Sequence, residues 1–418
     1  MRTFDRSCLP ADVIRIAETI ARHDHRAWVV GGCVRDVLMG RPAKDWDLAT
    51  TAHPHEIQKM FRRVVPTGIQ HGTVTVVLGG TGYEVTTLRG EGAYTDGRRP
   101  DSVHFVGTIE EDLARRDFTV NAIAFDPMAG ALVDPWHGCA DLDLGILRAV
   151  GDARERFAED GLRALRAARF VATLEMELDP VTEAAIPGAL DTFAKVSAER
   201  VRDEWEKACR AAQPSRAFAV MRRTGMLSRT APMLDALSSE AFARAIARMD
   251  AAPRTLAMRV GALLHEVTIA RPALDAWLRD LRFSGPDRER VLVLHAHAGL
   301  ALSTLSDLER RRLVARAGLD EARAIVALAS ADLAARGLPD SARAVADAIE
   351  MDVQARVPTA TRELAVTGHD LMRELGIPPG REIGRLLEAL LEIVLAEPAQ
   401  NERGTLLARA ATLRASAP

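Results

Sequence analysis

The sequence predicts an α+β head followed by an all-α remainder. Three observations carry that expectation. Short β-branched runs separated by Gly, Pro and Asp crowd the first 150 residues. From about Glu155 onward apolar residues recur at helical spacing nearly throughout. Strands first and helices after is the α+β pattern, and no 20–50-residue repeat points to a solenoid.

In chain order, Val13, Ile14, Ala17, Ile20 and Ala21 predict an opening helix. Trp28-Val29-Val30 predicts a strand that runs into Gly31-Gly32, followed by an amphipathic segment with Val34, Val37 and Leu38. Thr73 to Leu78, Tyr83 to Thr87 and Val103 to Val106 predict further strands. The Gly- and charge-rich stretch from Thr87 to Asp101 predicts a mobile surface loop. Leu162, Leu165, Ala168 and Phe170, and later Leu386, Leu387, Leu390, Leu391 and Val394, mark helices. These shifts divide the chain into a head (1–150), a neck (151–232), a body (233–355) and a tail (356–418).

The chain has 418 residues, with 55 Lys+Arg against 58 Asp+Glu, a formal charge of −3. That near-balance excludes a tail-driven polycationic nucleic-acid binder but leaves room for a local basic face. Of the 55 cations 51 are arginine, the side chain suited to forked phosphate contacts. Aromatics make up 4%, which argues against base stacking on aromatic platforms as the main binding device. Cys8, Cys33, Cys139 and Cys209 form no CxxC pair and predict free thiols in a reducing compartment, with neither a disulfide framework nor a zinc site. The first residues lack an apolar leader core, and Val291 to Leu305, the most apolar stretch, is too short to span a bilayer. A cytoplasmic protein with no membrane partner is expected.

The densest chemistry lies between Trp28 and Thr50. Glycines between a strand and a helix let backbone N–H groups approach a phosphate closely. Arg35, in the first turn, has the geometry to fork onto phosphate oxygens. If Asp45 and Asp47 lie on a strand, their carboxylates share a face, as a Mg²⁺ ion bridging a triphosphate requires. Glu84 alternates with the apolar Tyr83 and Val85; it either faces water or, on a neighbouring strand, completes a three-carboxylate, two-metal site.

Gly31-Gly32-x-Val34-Arg35-Asp36, then Asp45-x-Asp47, resembles the first motif of the nucleotidyltransferase superfamily, and more specifically that of the bacterial (class II) tRNA CCA-adding enzymes and poly(A) polymerases. Further motifs follow in the family's order. Arg115-Arg116-Asp117 through Asn121-Ala122 resembles the second, and Asp134-Pro135 with Gly138, Asp141 and Leu142 the third. Glu159-Asp160-x-x-Arg163, continuing to Arg166, Arg169 and Phe170, resembles the fourth. Ser197-x-Glu199-Arg200-Val201 with Glu204 resembles the fifth.

The resemblance implies template-independent addition of CCA, from CTP and ATP, to the 3′ end of tRNA by Mg²⁺-dependent nucleotidyl transfer. It assigns catalysis and metal binding to Asp45 and Asp47 with Glu84 assisting. Arg116 then faces phosphate, with Asp117 and Asn121 on the ribose side. Gly31, Gly32 and Arg35 join them around the nucleotide. Asp160 and Arg163 read the base. At i and i+3 they would share a helix face, either as a surface ion pair or as an imitation of a pairing edge for C or A. Arg166 and Arg169 extend that segment, and one of them is expected to support Asp160.

Between Lys195 and Arg223 eight basic residues face four acidic ones, which is either a phosphate-tracking face for the acceptor stem or a solvated face with ion pairs. The tail, from Val366-Thr367-Gly368-His369-Asp370-Leu371 to Asn401, resembles the family's C-terminal helical domain, with an implied grip on the tRNA elbow. No shortening between Thr87 and Asp101 speaks for full CCA or A addition over CC-only addition. The absence of a basic C-terminal extension speaks against a poly(A) polymerase, and addition of the terminal A alone is the other close alternative. Leu263-Leu264-His265-Glu266 resembles a degenerate HD phosphohydrolase motif in which Glu266 stands where Asp is needed, so hydrolase chemistry is not expected.

Overall fold

The computed structural model describes residues 2–91, 103–300, 302 and 305–415. The chain divides into two compact units, Met1–Ala236 and Leu237–Pro418.

The first unit is built on a mixed seven-stranded sheet. Its strands are β1 (Ala27–Val30), β2 (Asp47–Thr50), β3 (Val64–Gly68), β4 (Thr73–Leu78), β5 (Thr81–Thr87), and later β8 (Ala124–Asp126) and β9 (Ala131–Val133). Between them β6 (Arg89–Glu91) and β7 (Val103–Phe105) pair only with each other. The order across the sheet is β3-β4-β5-β2-β1-β8-β9. All pairs are antiparallel except β2 with β5, where Leu48 aligns with Val85. β1 sits near the middle with all four residues buried, which its unbroken apolar run requires.

Helices α1 (Ala11–Ala21), α2 (Gly32–Leu38), α3 (Pro54–Met60), α4 (Ile109–Ala114) and α5 (Gly138–Leu144) accompany the sheet. α1 buries Val13, Ile16, Ala17 and Ile20, one stripe of a 3.6-residue period. One core cluster joins Trp28 and Val30 of β1 to Ala49, Leu88, Ile109, Leu113, Ala122, Ala124 and Val150. α6 (Ala153–Glu159) and α7 (Leu162–Leu174) then begin a helical stretch, and α7 packs against the helix Ala198–Cys209. α7 is buried nearly all round, its arginines Arg163 and Arg169 included.

The structure departs from the sequence expectations in four places. Three strands were not foreseen: β3 carries Pro66, tolerated because β3 is an edge strand, and β8 and β9 are three residues each, too short to show a period. The expected strand around Val103 pairs with Arg89–Glu91 rather than joining the main sheet. Part of the expected Thr87–Asp101 loop is therefore strand, and residues 92–102 lie outside the described residues. The helical remainder also holds one short strand, Glu177–Leu178, paired in parallel with Ile146–Leu147.

The second unit is helical throughout its described residues. Its last core gathers Leu364, Val366, Leu371, Leu386, Leu390, Val394 and Leu406. Asn401 closes that fold locally by accepting from the Ala365 N–H at 2.8 Å and donating to the Glu363 carbonyl. Farther upstream, Glu266 is forked by Arg244 at 2.9 and 2.6 Å, and the buried Arg248 bonds both Glu266 and Asp332. These acids are therefore paired with arginines. No helix among the described residues is long and apolar enough to cross a membrane.

Candidate active site

The site begins where β1 ends. The β1–β2 register sets Val30 opposite Asp47, so the chain turns at Gly31 beside the first residue of β2. Gly31 has φ +81°, and a Cβ there would lie 2.9 Å from Nη1 of Arg116. Both the left-handed backbone and the close approach call for glycine.

Asp47 is partly buried, and its carboxyl is pushed up to about 6 by burial and then by the negative charge of Glu84, with Asp45 adding to it against the pull of Arg116. Asp45 lies in the loop ahead of β2, exposed, and not on the strand as expected. The parallel β2–β5 register, continued one residue back, brings Glu84 beside Asp47, but Glu84 too is exposed. Among the described residues no three His, Cys, Asp or Glu side chains gather closely enough to hold a metal ion by themselves. The three carboxylates of the two-metal alternative are therefore not gathered into a ready-made cage among the described residues. Asp47 and Asp45 still fit a hard divalent cation. Their negative charge is under-compensated, and such ions commonly bind through one or two carboxylates plus substrate phosphates.

Opposite these acids stands an arginine wall. Arg116 donates to Asp112 at 3.3 Å, while its buried Nε has no partner among the described residues. Asp112 is 1% exposed and shared with Arg115, whose Nη2 lies 2.8 Å away. Next comes a buried chain of polar contacts. Arg166 donates to Asp117 through Nε at 2.8 Å and Nη2 at 2.6 Å. Asn121 donates to the same carboxylate at 2.9 Å and accepts from Arg35 at 2.6 Å. Although burial raises it, the Asp117 carboxyl is held down to about 2 by Arg166 and the Asn121 bond. Arg35 also forks onto Asp36 at 2.9 and 2.7 Å, so its guanidinium is engaged by protein groups beside the site. The rings and guanidiniums pack too: Arg169 lies 3.7 Å over Phe170, with Arg166 and Arg35 at 5.3 and 5.4 Å.

Asp160 corrects a further expectation. It is not on a helix face with Arg163 but in the extended turn between α6 and α7, with φ −140° and ψ 107°. Its carboxylate accepts from the N–H of Leu162, the first residue of α7, at 3.0 Å, an Asx-type contact two residues on. Its cation is Arg200, 2.7 Å away, and neither Arg166 nor Arg169, which are bound to Asp117 and Glu204. Arg163 turns back to Glu159 and to the carbonyls of Arg156 and Arg115.

A cavity of about 570 Å³ unites these groups. Every residue expected to bind nucleotide lines it, together with Asp47, while Asp45 and Glu84 do not. The sequence reading passed over Arg115, Phe170, Arg200 and Lys207 as lining residues. Phe170 and Arg200 stood inside the fourth and fifth motifs, and that placement was the available signal. Seven arginines and a lysine face three aspartates here, a wall suited to a polyphosphate. A larger cavity of about 690 Å³ in the second unit has two arginines against three acids over an alanine-rich floor, and lacks that bias.

Residues 27–148 match the poly(A) polymerase head domain, 175–238 the RNA- and SrmB-binding region of polymerase A, and 262–410 tRNA nucleotidyltransferase domain 2. The chain is 36% identical to a CCA-adding enzyme of Lactiplantibacillus plantarum, over 94% of this chain and 93% of that one. It is 35% identical to a CCA-adding enzyme of Geobacillus stearothermophilus, over 94% of each. A crystal structure of the Bacillus stearothermophilus CCA-adding enzyme in complex with CTP superposes with a TM-score of 0.80 at 30% identity, over 97% of both chains.

Proposed function

The chain belongs to the CCA-adding enzyme family, and on that premise we propose that it adds CCA, from CTP and ATP, to the 3′ end of tRNA with Mg²⁺. The observation that carries this reading is the single cavity in which the arginine wall, Asp47 and Asp160 meet. The terminal tRNA hydroxyl attacks the α-phosphorus of the nucleotide, a new phosphodiester forms, and pyrophosphate leaves.

Asp45 and Asp47 would hold the Mg²⁺. When bound, the ion lowers the pKa of the attacking hydroxyl and neutralises the leaving pyrophosphate. Glu84 adds negative charge from the neighbouring strand and strengthens that pull. Arg116, with a buried Nε still to satisfy, receives triphosphate oxygens beside the Gly31 turn. Asp117 and Asn121 serve the ribose side and are themselves held by Arg166 and Arg35. Asp160 accepts from the exocyclic amine that C and A share, and Arg163 donates to ring acceptors once it releases a carbonyl.

Supplying tRNAs that end before the first C, before the second C and before A, each with labelled CTP or ATP, tests the reading. Stepwise completion to CCA is expected. Addition of A alone, of C alone or of a long A tract would replace it with one of the close alternatives. Gly31→Ala is expected to cost about 1–3 kcal/mol for the left-handed backbone. By displacing Arg116 it should also raise KM for both nucleotides more than KM for tRNA; melting curves and steady-state kinetics check the pair.

A further inference from the structure

The carboxylate of Asp160 sits on a turn, where backbone alone would leave its two side-chain torsions free. Three contacts from two partners hold it. The Leu162 N–H reaches Oδ1, and Arg200 reaches Oδ2 at 2.7 Å and Oδ1 at 3.4 Å. Arg200 comes from another element, the helix Ala198–Cys209, which packs on α7. The neighbouring arginines cannot take its place: Arg166 is spent on Asp117, and Arg169 on the buried Glu204. Side-chain exposure is 15% for Asp160 and 26% for Arg200, and both line the cavity. A carboxylate offers about four acceptor directions. The three contacts leave one side of Asp160 open to an incoming donor and fix the direction in which it points.

We propose that Arg200 is a specificity-determining positioning residue that aims the Asp160 carboxylate at the exocyclic amine of the incoming base. This rests on the reading of Asp160 as a base acceptor. A donor–acceptor pair discriminates only when its geometry is set beforehand, and a misplacement near 1 Å costs on the order of 100-fold. Lysine cannot substitute fully, because a single ammonium does not reproduce a fork across both oxygens.

The test is single-nucleotide incorporation by wild type, R200A, R200K, D160A and D160A/R200A. The substrates are tRNA ending before the first C and tRNA ending before A, each offered CTP, UTP, ATP or GTP alone. R200A is expected to lose about 10- to 100-fold in the CTP:UTP and ATP:GTP ratios of kcat/KM. R200K should recover part of that loss, and the double variant should discriminate no worse than D160A. KM for tRNA should not move. If R200A is poorly folded, R200K against wild type carries the comparison. An equal loss with all four nucleotides, full rescue by lysine, or a double variant worse than D160A would overturn the positioning role. Loss of selectivity in D160A with full retention in R200A would overturn it while leaving the CCA reading intact. A wild-type enzyme that extends none of the tRNAs would overturn both.

Discussion

Asp47→Asn is expected to abolish incorporation of CTP and ATP alike, by about 10³-fold or more, while tRNA affinity stays near wild type. The change keeps size and removes charge at the one acid of the trio that lines the cavity. It sits at the first residue of β2, opposite Val30 and next to the Gly31 turn, and lines the nucleotide cavity. Burial and the charges of Glu84 and Asp45 already act against ionisation of this carboxyl. A group held at that disadvantage has most to gain from a bound cation, and its neutral isostere has nothing to offer one. Single-turnover incorporation beside a filter-binding measurement of tRNA separates the two effects. Unchanged incorporation would remove Asp47 from the metal site.

Asp117→Asn is expected to destabilise the first unit by about 2–4 kcal/mol, since it leaves the partly buried Arg166 guanidinium without its counter-charge. Arg166 and Asn121 then lose the carboxylate they share, and Arg35 is disturbed through Asn121, so nucleotide affinity should fall as well. The native Asp117 carboxyl, held down to about 2 from the ordinary aspartate value of about 4, favours the folded state above the higher value. That contribution, about 2 kcal/mol, is present above pH 4 and is lost as pH falls from about 4 to 2. Urea unfolding of wild type across that window should show the loss, and the variant should be flatter there. An equal pH dependence in both proteins would assign the acid transition to other carboxylates.

Much of the head was legible because its signals are local. β1, β4 and β5 announce themselves as β-branched runs, and α1 as a stripe at helical spacing. The Gly31-Gly32 turn follows from the absence of a Cβ, which no neighbour can change. What failed did so for physical reasons. Asp160 and Arg163 share a face only if a helix runs through both; α6 ends at Glu159, Asp160 turns out of it, and the i, i+3 argument lapses. Nor does sequence reveal that Asp36 and Asn121 both engage the Arg35 guanidinium.

By itself the sequence determined the order of an α+β head and a helical remainder, the glycine turn, and the set of acids and arginines that the chemistry needs. Those follow from backbone preferences, periodicity and side-chain chemistry, which act over a few residues. Only the tertiary structure decided which charge meets which. Arg166 reaches 49 residues back to Asp117, Arg200 reaches 40 back to Asp160, and Arg35 reaches 86 forward to Asn121. In a chain with 51 arginines and 58 acids nearly any pairing is chemically allowed. Burial selects among them, because a guanidinium or carboxylate taken out of water must find its partner where packing has placed one. The division between residues that hold the site together and residues left free to meet a nucleotide is therefore a property of the fold.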